Sequence, residues 1–136
     1  MTLTDTGPLV ALINRNDQNN ERCVEATKRL PSGPLLTTWP CFTEAMYLLY
    51  RMGGHPAQAA LWLLWEAGRL RLHDTSEAEM DRMTAFMAKY SDLPMDLADA
   101  SIMAVAERLG TRRVFTLDRD FHVFRFADGS VVDIIP

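Results

Sequence analysis

Five acids stand where a strand or helix should begin or end. Asp5 closes the short apolar run at Leu3-Thr4. Glu44 lies just inside a segment opened by Pro40. Asp99 falls in the first turn of the segment that starts at Asp96, and Asp118 and Asp120 follow Val114-Phe115-Thr116-Leu117. A single carboxylate at such a place is ordinarily a solvated loop residue or a helix cap. Several of them, each at the tip of a different element, can instead converge on one pocket. Like charges there repel and raise one another's pKa, so the pocket calls for a cation. Hard divalent ions such as Mg²⁺ take oxygen ligands of this kind. The chemistry indicated is metal-assisted hydrolysis, as in a nuclease.

Each acid also has a structural reading. Asp5 suits a helix N-cap. Glu44 suits an exposed helix face, although Phe42, Ala45, Met46 and Leu48 make its surroundings apolar. Asp96 and Asp99, spaced i, i+3, share one side of a helical turn, with Asp96 a natural N-cap and Asp99 favoured by the helix dipole. The small residues around Asp99 (Ala98, Ala100, Ser101) would let a ligand approach closely. Asp118 and Asp120 also suit a solvated turn.

The elements that must position these acids alternate between strand and helix. Strands are expected at 2–5, 35–38, 70–73, 113–116 and 131–135. A helix follows Gly7-Pro8 as far as Ile13, with Pro8 suited to the first helical position. Residues 18–30 read as an amphipathic helix, and Pro31-Ser32-Gly33-Pro34 as a turn. Pro40–Arg51 reads as a helix ended by Gly53-Gly54, and 56–67 as another. The Ser76-x-x-Glu79 capping box opens a helix to about Tyr90, and a last helix runs from Asp96 to Leu109, ended by Gly110. This alternation predicts an α/β fold, a three-layer α/β/α sandwich around a central, mostly parallel sheet. Ligands of such sheets bind beyond the carboxyl ends of the strands, where Asp5 and Asp118 fall.

Length and composition predict one domain over residues 1–136 with a substantial core. No apolar run reaches the length of a membrane span, and the first residues do not form a signal peptide. Cys23 and Cys41 have neither the number nor the spacing of a disulfide framework or zinc site, so they read as core thiols in a reducing cytoplasm. The net charge of −4 is unusual for a nucleic-acid binder, but setting aside Asp5, Glu44, Asp96, Asp99, Asp118 and Asp120 turns it into +2. Only Lys28 and Lys89 of the 14 basic residues are lysines. The rest are arginine, which is suited to bidentate phosphate contacts.

At this point the chain resembles a known family, the PIN domain of the bacterial VapC toxin type. The similarity rests on Thr4-Asp5-Thr6-Gly7-Pro8-Leu9-Val10-Ala11-Leu12, on Thr43-Glu44-Ala45, on Pro94-Met95-Asp96-Leu97-Ala98-Asp99-Ala100-Ser101-Ile102 and on Phe115-Thr116-Leu117-Asp118-Arg119-Asp120-Phe121. These four segments come in order and span almost the whole chain. The resemblance implies cleavage of RNA with Mg²⁺ or Mn²⁺, an antitoxin partner and a homodimer. Asp5, Glu44, Asp99 and Asp118 are then the expected catalytic set, with Asp5, Asp99 and Asp118 as metal ligands. Asp96 and Asp120 are further candidates for the pocket, and either Asp118 or Asp120 suits the fourth motif. Thr6, Ser101 and Thr116 are expected to orient a ligand or water. His55, His73 and His122 lie outside every motif, which argues against a histidine ribonuclease. A phosphoacceptor receiver domain would need a lysine after a late strand, and none follows Lys89. A PIN-like module that binds RNA or protein without cutting is the remaining alternative.

Overall fold

The computed structural model describes every residue, Met1–Pro136. In chain order the elements are β1 (Thr2–Thr4), α1 (Thr6–Ile13), α2 (Asn20–Thr27), β2 (Leu35–Thr38), α3 (Trp39–Glu66), β3 (Leu70–His73), α4 (Glu77–Lys89), α5 (Leu97–Leu109), β4 (Arg113–Phe115), a 3₁₀ turn (Arg119–His122) and β5 (Asp133–Ile135). The five strands form one parallel sheet in the order β3-β2-β1-β4-β5.

Period-two alternation explains the layers. Leu36, Val114 and Ile134 turn to one face and pack with α4 and α5. Their neighbours Leu35, Phe115 and Ile135 turn to the other, against residues of α1 and α2. Helix α3 covers the same second face through Phe42, Leu49 and Leu61 around Leu70. The expected α/β sandwich is therefore observed, with its sheet wholly parallel among the named strands.

The strand order reverses at β1. From there the chain builds outward through β2 and β3, and it later returns to add β4 and β5 on the other side. The crevice of a doubly wound sheet opens at such a reversal, here between the carboxyl ends of β1 and β4. Leu3 pairs with Val114 and Thr4 with Phe115, and the Asp5 amide still donates to the Phe115 carbonyl at 2.9 Å. The backbone at Asp5 is thus held by the sheet although the strand has ended.

Several boundaries differ from the sequence reading. The helix expected over 18–30 contracts to Asn20–Thr27, and the strand expected over 131–135 contracts to Asp133–Ile135. Val131 instead makes an isolated antiparallel bridge with Arg125. The strands expected to reach Asp5 and Thr116 stop one residue earlier. The two helices expected at 40–51 and 56–67 form one kinked element, in which Gly54 takes φ 66° and ψ −157°. Only glycine adopts that conformation cheaply, so the break expected at Gly53-Gly54 is a sharp bend. No helix is long and apolar enough to cross a membrane.

Candidate active site

Asp5 is the innermost acid. It caps α1, which begins where β1 ends, and it is 6% exposed. Its Oδ1 accepts from the Thr6 amide at 2.8 Å and from the Cys41 thiol at 3.5 Å. Its Oδ2 accepts from the Thr116 hydroxyl at 2.7 Å. Burial raises its pKa above the ordinary carboxylate value, the bonds from Thr116, Thr6 and Cys41 work the other way, and Asp118 adds to the rise.

Thr116 links the two strand ends. While donating to Asp5, it accepts the Asp118 amide at 3.0 Å. Asp118 caps the 3₁₀ turn, its Oδ1 taking the Asp120 amide at 2.9 Å. Asp118 is half-buried and Asp120 exposed.

Asp99 enters from α5. It is the third residue of a capping box: its amide donates to Asp96 Oδ1 at 2.8 Å, and its Oδ2 accepts the Asp96 amide at 3.3 Å. Its pKa is pushed up to about 8, first by burial, then by the charges of Asp96 and Asp5, with a smaller push from Asp118. Glu44 enters from α3. Its Oε2 lies 3.4 Å from the Thr6 hydroxyl. Burial raises its pKa as well, followed by the charges of Asp96, Asp5 and Asp118.

Five acids from four segments therefore act on one another through space. Asp118 contributes to the shifts of Asp5, Glu44 and Asp99, whereas Asp120 lies exposed on the turn beyond it. No basic side chain forms an ion pair with any of these acids. The ion pairs of the molecule, Lys28–Glu25, His73–Glu79 and Arg82–Glu107, all lie elsewhere. The donors are oxygen-only and acidic, the set that hard divalent ions select. As they stand, the side chains form no ready-made trio of metal ligands. Mutually repelling carboxylates stand apart, and Mg²⁺ keeps several waters and needs only one or two direct carboxylates, so the donor set still fits such an ion.

The expected orienting residues divide. Thr116 contacts Asp5, and Thr6 lies against Glu44. Ser101 instead donates to the Ala98 carbonyl at 2.7 Å and shares a 2.6 Å bond with Thr38. Sequence reasoning missed Cys41 and Thr38. Cys41 is a core thiol, as expected, but it also faces Asp5, and burial next to that carboxylate pushes its pKa up. Thr38 caps α3 and joins that helix to α5 through Ser101. Its position just before Trp39-Pro40 was the available signal for the cap.

Comparison with known proteins matches residues 2–127 to the PIN domain model. Ribonuclease VapC26 of Mycobacterium tuberculosis is 25% identical over 138 residues, covering 98% of this chain and 99% of the relative. VapC20 of the same organism, described as a sarcin-ricin loop cleaving toxin, superposes with a TM-score of 0.83 at 20% identity, covering 100% of both chains. A toxin–antitoxin complex from Klebsiella pneumoniae contains a chain with a TM-score of 0.65 at 20% identity, covering 89% of this chain and 90% of that one. The likeness to VapC-type proteins that the four motifs suggested is thus matched in sequence and in fold.

Proposed function

Because the chain belongs to the PIN domain family, we propose that residues 1–136 act as one PIN-like domain, a metal-dependent endoribonuclease serving as the toxin of a VapC-type toxin–antitoxin pair. The observation that carries this reading is the group of acids at the β1/β4 crevice with no basic partner. Asp5, Asp99 and Asp118 would hold Mg²⁺ or Mn²⁺, with Glu44 completing the catalytic set. Such an ion supplies activation of a water and neutralisation of charge at the phosphate.

The chain's own groups have definable tasks. Thr116 and the Thr6 amide fix the Asp5 carboxylate, so its orientation does not depend on substrate. Asp96 holds the first turn of α5 and thereby the position of Asp99. Glu44 is half-buried, and burial with the charges of Asp96 and Asp5 raises its pKa above the ordinary carboxylate value, which makes its carboxylate a better proton acceptor than a solvated one. Asp120 faces solvent and serves the turn rather than the pocket.

The antitoxin and a second copy of the chain are proposed as partners, acting with the RNA in the cytoplasm. Of the apolar residues on α3, Phe42, Leu49 and Leu61 are buried in the core, whereas Trp39, Tyr47, Tyr50, Met52, Trp62, Leu63 and Trp65 remain exposed. An apolar surface of that kind suits a partner helix.

The test is incubation of pure protein with mixed cellular RNA, with Mg²⁺ and with excess chelator, followed by mapping of the ends. Cleavage is expected only with the metal and is lost in Asp5→Asn. Full cleavage in chelator overturns the metal role. RNA binding without cleavage under any divalent ion favours the non-catalytic module.

A further inference from the structure

The arginines of this chain fall into two groups. Some are committed within the fold: Arg82 pairs with Glu107 at 2.6 Å, Arg108 reaches the Ser76 hydroxyl, and Arg125 donates to the carbonyls of His122, Val123 and Phe124. Others lie exposed outside every ion pair, and four of these line two adjoining cavities. The first cavity, about 180 Å³, lies beside Asp118 and carries Arg22, Arg119 and His122. The second, about 540 Å³, carries Arg22, Arg29 and Arg113. Arg22 and Pro136 line both, so the two are contiguous.

The path they mark begins at the acid site. It runs between α2 and the edge formed by β4 and β5, toward the amino end of β4 where Arg113 stands. Glu25, the one acid in the larger cavity, pairs with Lys28 at 2.8 Å and also feels the charge of Arg29, so a single carboxylate there faces three arginines and a lysine. Neither cavity is lined by tryptophan, tyrosine or phenylalanine. Apart from the His122 ring beside Asp118, the lining therefore offers phosphate contacts rather than aromatic surfaces on which bases stack.

Building on the nuclease reading above, we propose that Arg119, Arg22, Arg29 and Arg113 form a phosphate track that holds the RNA strand on one side of the scissile bond. The track anchors the backbone and does not read sequence. It also answers the charge problem of an acidic protein with a polyanionic substrate, because the substrate meets a local run of positive charge beside the acids.

The test uses the Arg29→Gln/Arg113→Gln pair, the two positions farthest along the path from Asp118. Both are exposed, and the Arg29→Lys/Arg113→Lys pair separates lost charge from any lost fold. Affinity for a labelled single-stranded RNA is measured by fluorescence anisotropy over a salt series, and cleavage kinetics are measured in Mg²⁺. The glutamine pair should weaken binding roughly tenfold and flatten the salt dependence by about 0.7 in logarithmic slope per lost contact. The loss should fall on KM rather than kcat, and the lysine pair should restore the slope. Arg71→Gln, on β3 at the opposite edge of the sheet, should match wild type. If wild type cleaves RNA and the glutamine pair keeps its KM and salt slope, the track is wrong and the nuclease reading stands. If wild type neither binds nor cleaves RNA, both fall. If it binds without cleaving, the anisotropy series still decides the track.

Discussion

Two helices of this molecule open on the same device with opposite electrostatic results. Helix α4 begins with the Ser76/Glu79 capping box and α5 with Asp96/Asp99. In both, the third residue returns its carboxylate to the cap amide, and in both it is buried, Glu79 at 2% exposure and Asp99 at 7%. Burial pushes the Glu79 carboxyl up, yet the Ser76 amide and hydroxyl together with His73 outweigh it and hold the pKa below the ordinary value. Around Asp99 the neighbours are Asp96 and Asp5, which push the same way as burial and carry it to about 8. The capping geometry is shared, so the difference lies in the sign of the surroundings. An acid whose charge is satisfied by the fold is structural, and one whose charge the fold opposes is free for another task.

The largest expected effect is a double dissociation between these two positions. Asp99→Asn keeps an oxygen for the Asp96 amide and removes the repelled charge. Cleavage should fall by more than about 100-fold, the upper range for groups that merely support a metal ligand. The melting temperature without metal should rise at neutral pH. Glu79→Gln should do the reverse, losing the His73 pair and about 1–2 kcal/mol of stability while the folded protein keeps its cleavage rate. Thermal melts and single-turnover assays on both variants decide this. A stable, fully active Asp99→Asn protein removes the distinction.

A smaller effect separates the two acids by pH. Asp99 retains its proton in the folded state long after the unfolded chain has released it. Its contribution is therefore present below its ordinary value of 3.8 and is lost as pH rises through about 8. Glu79 runs oppositely, stabilising above its ordinary value of 4.5 and losing that as pH falls through its lowered folded value. Metal-free protein should thus lose stability between about pH 4 and 8, and Asp99→Asn should flatten that slope. Added Mg²⁺ should stabilise more at pH 8 than at pH 5, because protons compete for the same carboxylates. Denaturant melts across this range, with chelator and with Mg²⁺, measure both.

How much of this was legible beforehand follows from what each residue's role depends on. The capping box at Ser76-x-x-Glu79 is local and could be read from spacing alone. Asp96 as an N-cap was legible for the same reason. The capping bond made by Asp99 was not, since aspartate is an unusual third residue in that device. The alternation of strands with helices along the chain made the layers legible, whereas the facing of Leu35/Leu36 and Val114/Phe115 came only with the structure. The bond from Thr116 to Asp5 joins residues 111 apart in sequence and depends on β1 lying beside β4. Strand order is not a property of either segment. The contact of Cys41 with Asp5 was hidden likewise: a buried thiol reads as core until the neighbouring helix is placed.

The smallest expected effect concerns Asp118 and Asp120. The backbone settles into a 3₁₀ turn immediately after Asp118, so the two side chains do not share one face as residues two apart on a strand would. Asp118 is tethered at its amide to Thr116, which also holds Asp5, so its position is fixed relative to the innermost acid. Asp120 is exposed and gives its amide to the Asp118 carboxylate. A fixed position matters for metal geometry, and on that ground Asp118→Asn should weaken cleavage more than Asp120→Asn. Asparagine at 118 retains an oxygen to accept the Asp120 amide, so the turn should persist and the loss should appear as a higher Mg²⁺ requirement. Asp120→Asn should leave that requirement near wild type. Parallel titrations of cleavage against Mg²⁺ for both variants decide it. If Asp120→Asn is the inactive protein and Asp118→Asn is near normal, the pocket draws its fourth acid from the turn instead of the strand end.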